Sequence, residues 1–357
     1  MNLNFIIWFV FLIFKLFYLL FGHFVFINIS TLGDTFRYLS SETNFKITVL
    51  YSSTELMDFL GGISGHIFGT SFGSLPFCIL NFVCTLICLR SLRLNNYSLI
   101  IILLILSFPS YGLWTSVASK EAIVSSSMFI IFLQYYRIIN HIKINKTLLI
   151  ITYYVIIVFK IQYFPVLLFL NIFLLIYHKY KFINISYFLY YPVVCIFGIY
   201  FVILYCDEID RLAFLVASHF DVDASSTRKN FILVNKYDFF RNAPYGMFIG
   251  MFGPTLSEAN LRFTHFLSFA ESTLLILIFA TIFYYRIYVC LIYNKFSLNS
   301  LLLPITVLIL FAAVHYPFGI MNPGSAIRYR CSFYPIIFLS LFLYNNYRRK
   351  FITFRSQ

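Results

Sequence analysis

Charge is scarce in this chain, and negative charge scarcer still. Only 11% of the 357 residues are Asp, Glu, Lys or Arg, with 13 acids against 26 bases, whereas soluble domains carry roughly a quarter charged residues. Hydrophobic residues make up 61% and aromatics 21%, and the mean hydropathy is +0.86. A soluble core cannot take up so much apolar surface, so the composition reads as a polytopic, all-α integral membrane protein. Catalytic signatures are missing as well: HExxH, a phosphate loop ending in GK[ST] and CxxC are all absent, which removes the commonest zinc-hydrolase, nucleotide-loop and dithiol chemistries. The seven cysteines fit no metal spacing. Cys78, Cys84, Cys88, Cys195 and Cys290 lie in apolar runs, as small core residues do. Cys206 and Cys331 fall near the predicted outer face, where a disulfide between them is one option. No small-residue cleavage site follows the first apolar run, which therefore reads as a retained anchor. No internal repeat is visible, which disfavours a transporter of duplicated halves.

A net charge of +13 would point to nucleic acid in a soluble chain, but its distribution excludes that partner here. The connections around Arg90 and Arg93, 137–146, Lys179 and Lys181, 286–295 and the tail 348–355 carry Lys and Arg without a single acid, the signature of loops kept in the cytoplasm. Seven of the 13 acids fall in one hydrophilic segment, 207–265. Both termini and the basic loops are therefore assigned to the cytoplasm. The outer loops are 28–74, 113–121, 207–265 and 318–331, facing the periplasm or cell exterior, so the chain reads as a multi-pass membrane protein with a large outer loop late in the sequence; the resemblance described below implies a bacterial inner membrane. At roughly 20 residues per span, helices are predicted over 5–27, 75–92, 97–114, 122–136, 147–177, 186–206, 266–285, 301–317 and 332–344. The run 147–177 is read as two short helices hinged at KIQYFP, because one helix would carry Lys179 and Lys181 outside. The sum is about ten spans in a single transmembrane domain, 1–357. Lys15 interrupts the first helix and either faces the bundle or snorkels. The amphipathic stretch 49–68 is expected on the membrane surface.

Three stretches hold the candidate chemistry. In SFPSYGLWTSVASKE, 107–121, Pro109 and Gly112 loosen a helix ahead of a polar cluster, Ser116, Ser119, Lys120 and Glu121; charge at membrane depth marks function, although Glu121 also reads as a neutralising partner of Lys120. In GDTFRYL, 33–39, Asp34 is placed either to cap a short helix or to act on an acceptor hydroxyl, with Arg37 three residues on. In HYPFGIMNPGSAIRYR, 315–330, the polar turn Asn322, Pro323, Gly324 and Ser325 precedes Arg328 and Arg330. Neither arginine has an acid nearby in sequence, and guanidinium forks suit phosphate or diphosphate. Elsewhere, Arg241 sits in a turn, RNAPYG. His219, Asp221 and Asp223 in HFDVD form a pattern too common to assign a metal. His265 and His315 read as interfacial.

A multi-spanning chain rich in Phe, Ile, Tyr and Asn, with a large late outer loop and scattered outer arginines, resembles the O-antigen polymerases of bacterial surface-polysaccharide clusters. PSYGLWTSVASKEA and NPGSAIRYR resemble segments of those polymerases and of their membrane glycosyltransferase relatives. GDTFRYL resembles the acidic first outer loop of lipid-donor glycosyltransferases of the GT-C fold. The resemblance implies transfer of a glycan from undecaprenyl diphosphate to a new lipid-linked repeat unit at the periplasmic face. It implies Arg328 and Arg330 on the diphosphate with Arg37, Lys120 and Arg241 in support, and Asp34 or Glu121 orienting or deprotonating the acceptor. The implied partners are the undecaprenyl-diphosphate-linked oligosaccharide, membrane lipids and a chain-length regulator protein; no cofactor is implied. The alternatives are a GT-C transferase using a polyprenyl-phosphate sugar, and a flippase for lipid-linked oligosaccharides, which needs charges spread through its helices.

Overall fold

The computed structural model describes residues 3–180, 196, 198, 200–218, 228, 232–292 and 298–341. Every regular element among them is a helix, as the composition requires. Four helices are long and apolar enough to cross a membrane: Leu3–Asn28, Lys120–Ile139, Lys146–Leu175 and Phe263–Tyr285. A fifth candidate is the pair Ser53–Phe72 and Leu75–Ser91, bent by 100° at its break. By length and composition these helices are compatible with a membrane protein, and among the described residues they are fewer than the ten spans predicted. Length is one reason. The run beginning at Asn96 stops at Leu106, and its 11 residues cover about 16 Å of a hydrocarbon core about 30 Å thick. A second reason is the stretch at KIQYFP: a 3₁₀ turn at Ile161–Tyr163 interrupts it, yet Lys146–Leu175 is one 30-residue candidate span. The predicted hairpin does not form there. Most of the predicted helix 186–206, the end of 332–344, Lys181 and the basic tail 348–355 lie outside the described residues. Where the sequence reads as one domain, the chain builds two compact units, Met1–Pro165 with Arg330–Gln357, and Val166–Tyr329.

In the first unit, the largely apolar α1 (Leu3–Phe24) carries Lys15 at mid-length, buried within the bundle and not snorkelling. The short α2 (Thr35–Leu39) lies directly on α3 (Ser53–Phe72) because Gly61, Gly62 and Gly65 leave no side chain between them. A Cβ on Gly65 would stand 1.9 Å from the Leu39 carbonyl oxygen. At Gly69 the backbone turns left-handed, with φ 74°, which glycine alone adopts freely, and α4 (Leu75–Ser91) leaves in a new direction. Pro109 opens α6 (Pro109–Trp114) after α5 (Asn96–Leu106) has ended. Gly112 does more than loosen this turn, since the Tyr18 ring lies against it and the Tyr18 hydroxyl donates to the Ser107 carbonyl at 2.8 Å.

The centre of the unit is α7 (Lys120–Ile139), nearly every residue of which is buried. Its serines make this packing feasible, because small hydroxyl side chains allow close helix approach and bond across it. Asn81 of α4 donates to Ser125 and Ser126, both at 3.3 Å, and Tyr111 shares a 2.7 Å hydrogen bond with Ser125. Helix α8 (Lys146–Lys160) packs on the other flank and leads into α9 (Phe164–Tyr180).

In the second unit, much of segment 207–265 is helical rather than an open loop. It holds α10 (Cys206–Ser218), α11 (Asp238–Arg241), α12 (Ala243–Phe252) and α13 (Leu256–Ala259), ahead of α14 (Phe263–Ile292) and α15 (Leu298–Gly319). Helix α12 crosses α15 where glycines meet: Gly319 lies against Gly250, and the Tyr316 ring covers Gly246. Around this crossing Ala213, Ala217, Leu233, Ile249, Tyr316, Ile320 and Met321 form an apolar core. Tyr237, left-handed at φ 67°, is held by two carboxylates of α10. Its N–H donates to Asp210 at 3.0 Å and its hydroxyl to Asp207 at 2.8 Å.

Candidate functional site

The stretch 107–121 organises a buried polar cluster in the first unit. Ser119 caps α7, accepting from the Ala122 N–H at 3.1 Å while donating to the Trp114 carbonyl at 2.6 Å. Glu121 therefore enters in the first helical turn, where the helix dipole favours a carboxylate. It is 2% exposed, and its partner is Lys160, 3.4 Å away and itself buried. Lys160 stands where α8 ends and the 3₁₀ turn begins. Glu121 thus has a partner distant in sequence as well as its neighbour Lys120 beside it. Lys120 donates to Ser53 at 3.1 Å and Thr54 at 3.3 Å, at the start of α3.

Arg330 closes the same unit. It is wholly buried and stands 5.7 Å from the Tyr334 ring, so it is not the surface arginine expected from the sequence. The next residue, Cys331, approaches Ser110 at 3.9 Å, and Tyr111 stacks on Tyr334 with centroids 6.4 Å apart. Tyr163 meets Phe333 edge to face at 5.3 Å. Among the described residues of this unit the buried charges are three cations, Lys15, Lys160 and Arg330, and one carboxylate, Glu121. Burying charge away from water is costly unless it is compensated, so such a cationic excess favours an anion.

Asp34 and Arg37 are in the same unit but half exposed. Asp34 occupies the cap position of α2 without capping it. It lies 3.6 Å from Arg37 and accepts from the Tyr38 hydroxyl at 3.2 Å. Arg37 also reaches Asp58 at 3.5 Å. The turn predicted at 322–325 is the start of α16 (Pro323–Arg330), with the Asn322 side chain accepting from the N–H groups of Gly324 and Ser325. Arg328, in the second unit, is half-buried against Tyr329. Arg241 of that unit is exposed at the end of α11, and no common cluster joins it to the residues above. Cys206 and Cys331 are free thiols. His219, Asp221 and Asp223 lie outside the described residues.

Sequence reasoning passed over three features. Lys160 was visible only as a lone charge in an apolar run, and its pairing with Glu121 is tertiary. Arg228 and Glu258 form an ion pair in the second unit. Arg228 also donates to the Gly319 and Ile320 carbonyls, both at 3.0 Å, satisfying the last turn of α15. Burial opposes ionisation of Glu258, but the Arg228 hydrogen bonds and charge outweigh it and hold the carboxyl below its usual range. Lastly, GTSFG at 69–73 has the spacing of a nucleophile elbow. That motif needs a strand-to-helix turn, whereas here Ser71 is exposed at a helix kink.

Compared with protein-family models, curated proteins and solved structures, the chain matches none. The buried cluster of the first unit therefore stands on its own geometry.

Proposed function

We propose that the chain is a membrane transferase that joins lipid-diphosphate-linked glycan units at the outer face of a bacterial inner membrane, as O-antigen polymerases do. The observation that carries this reading is the burial of Glu121, Lys160 and Arg330 in one unit. In the reaction the bond between the anomeric carbon and the diphosphate oxygen breaks, and the acceptor oxygen bonds that carbon. The acceptor proton passes to a carboxylate, for which Glu121 and the more exposed Asp34 are the candidates. Negative charge grows on the leaving diphosphate, and preorganised cations in a dry site stabilise such charge most strongly. Arg330 supplies a fork for two oxygens, and Lys160, 3.4 Å from Glu121, orients it. Lys120 and Arg37 add cations in the same unit, while Arg241 and Arg328, in the second unit, enter this reading as supporting cations on the strength of the sequence alone. In this reading segment 207–265 is periplasmic, which a reporter fused after Asn235 tests by its cytosolic or external activity.

The deciding experiment is the glycan ladder of a deletion strain complemented with variants. Deletion is expected to leave single repeat units, and Arg330→Lys to restore chain length poorly while the protein still inserts, because the planar fork is lost. A normal ladder in the deletion strain excludes the polymerase. An unchanged ladder with altered sugar composition would support single-sugar transfer from a polyprenyl phosphate.

One observation favours a second reading. A flippase needs ionisable residues within its helices, and the first unit buries four of them. Accumulation of repeat units on the cytoplasmic leaflet after deletion would select that reading.

A further inference from the structure

We infer that Lys15, held in place by Thr115, anchors a second, separate anion subsite in the first unit, completed by the hydroxyls of Ser116 and Ser332 and suited to a phosphate group. Lys15 lies in the middle of α1 with 1% of its surface exposed. Its ammonium donates to the Thr115 carbonyl at 3.3 Å and to the Thr115 hydroxyl, and it lies 5.2 Å from the Tyr111 ring. All of these partners are neutral. Among the described residues no carboxylate pairs with Lys15; the buried acid of this unit, Glu121, pairs with Lys160. A lysine so placed is expensive in an apolar interior unless a negative charge accompanies it.

A second observation points to the same place. Ser116 and Ser332 are both fully buried; among the described residues the Ser332 hydroxyl makes no hydrogen bond, and that of Ser116 has only the weak Cys78 thiol beside it. Buried polar groups are nearly always satisfied. Both serines follow residues that lie by the lysine: Ser116 comes after Thr115, which holds the ammonium, and Ser332 comes after Cys331, whose thiol, like that of Cys78, lies within electrostatic reach of Lys15. The Thr115 hydroxyl gives its own hydrogen to the Tyr111 carbonyl at 2.6 Å, so the donors left for a ligand are the remaining ammonium hydrogen and the two serine hydroxyls, which offer hydrogen bonds in several directions, as the tetrahedral oxygens of a phosphate require. A planar carboxylate would leave some of them unused.

That the subsite takes an anion follows from these contacts alone. That the anion is the phosphate of a lipid diphosphate rests on the transferase reading. The test uses the full chain in nanodiscs of neutral phosphatidylcholine, followed by thermal unfolding with inorganic diphosphate or farnesyl diphosphate. Wild type is expected to gain a saturable increase in Tm from at least one probe. Lys15→Met keeps the length of the side chain and removes its charge. It is expected to bind at least tenfold more weakly without lowering the ligand-free Tm, because an uncompensated charge is gone from the interior. A merely structural lysine would instead lower the ligand-free Tm and leave the increment intact, and that result overturns the inference, as does the absence of any increment in wild type. If Lys15→Met does not fold, the pair Ser116→Ala and Ser332→Ala removes only hydroxyls; a severalfold loss of affinity sustains the subsite and an unchanged affinity overturns it. Response to farnesyl diphosphate alone assigns a lipid-borne phosphate, and equal response to both assigns free phosphate. A normal glycan ladder in the deletion strain, combined with binding lost in Lys15→Met, would leave the subsite standing and remove the transferase.

Discussion

Each unit contains a buried or half-buried pairing of a cation with a glutamate, and the two pairs are built for different ends. In the second unit Arg228 spends its donors on Glu258 and on two carbonyls that end α15, so the charge is fully engaged in closing one helix against another. The first unit, besides Lys160 and Glu121, buries Lys15 and Arg330, so its described residues bury three cations and one carboxylate. A balanced pair is structural cement, because removing either half leaves the other stranded. An unbalanced set retains capacity for a ligand, and that difference is why the first unit is the candidate site although the second carries the longer polar segment.

The largest expected effect tests the first pair. Glu121→Ala strands Lys160 in the interior, and losing one partner of a buried ion pair costs about 3–5 kcal/mol, read as a lowered unfolding temperature in detergent. The isosteric Glu121→Gln is expected to lose less stability yet extend glycans no better; polymer formation at wild-type level in Glu121→Gln would remove Glu121 from the chemistry. Next is Arg228→Ala, which leaves the Glu258 charge and two carbonyls without their donor and is expected to cost about 2–3 kcal/mol. Glycan length should survive in the protein that remains folded, and its loss at intact stability would erase the contrast between the units.

Acid should act on the second unit first. Glu258 and Asp238 have carboxyls held below their ordinary values of 4.5 and 3.8, Glu258 by Arg228 against burial and Asp238 chiefly by the Asn235 N–H. Asp207 is likewise lowered, by hydrogen bonds from Lys236 and Tyr237. A depressed folded value means that the stabilisation is complete above the unfolded carboxylate range and is lost as pH falls through the folded values. Hydrogen exchange at 232–242 should therefore rise below about pH 4 while α7 stays protected; simultaneous loss in both would contradict separate electrostatic roles. Smallest is Asp34→Asn, which breaks a half-exposed contact with Arg37 worth under about 1 kcal/mol. A severe loss of glycan transfer with unchanged unfolding would move the base from Glu121 to Asp34.

The helical membrane architecture was readable because composition and 20-residue apolar runs answer to bilayer thickness, and the starts of α1 and α4 fall within two residues of prediction. The break near Pro109 was readable for a similar reason, since proline acts through its own ring. Lys160 was not, because no period or spacing ties a lone lysine to a glutamate on another helix. Segment 207–265 misled through its charge: Asp207, Asp210 and Asp238 are spent on backbone and tyrosine hydrogen bonds within a folded element. Arg330 misled in the opposite way, because a neighbouring polar turn looked like solvent and proved to be a helix start.

The crossing of α12 and α15 is a joint made of missing carbon, with Gly246, Gly250 and Gly319 where side chains would otherwise stand. Such a joint has no graded settings. Substitutions around its aromatic rim can accumulate one at a time over generations, whereas a single methyl group at Gly246 would meet the Tyr316 ring and wedge the hairpin apart. The tolerance of this unit to inherited change is thus set chiefly by Gly246 and Gly319, where a hydrogen atom is all that fits.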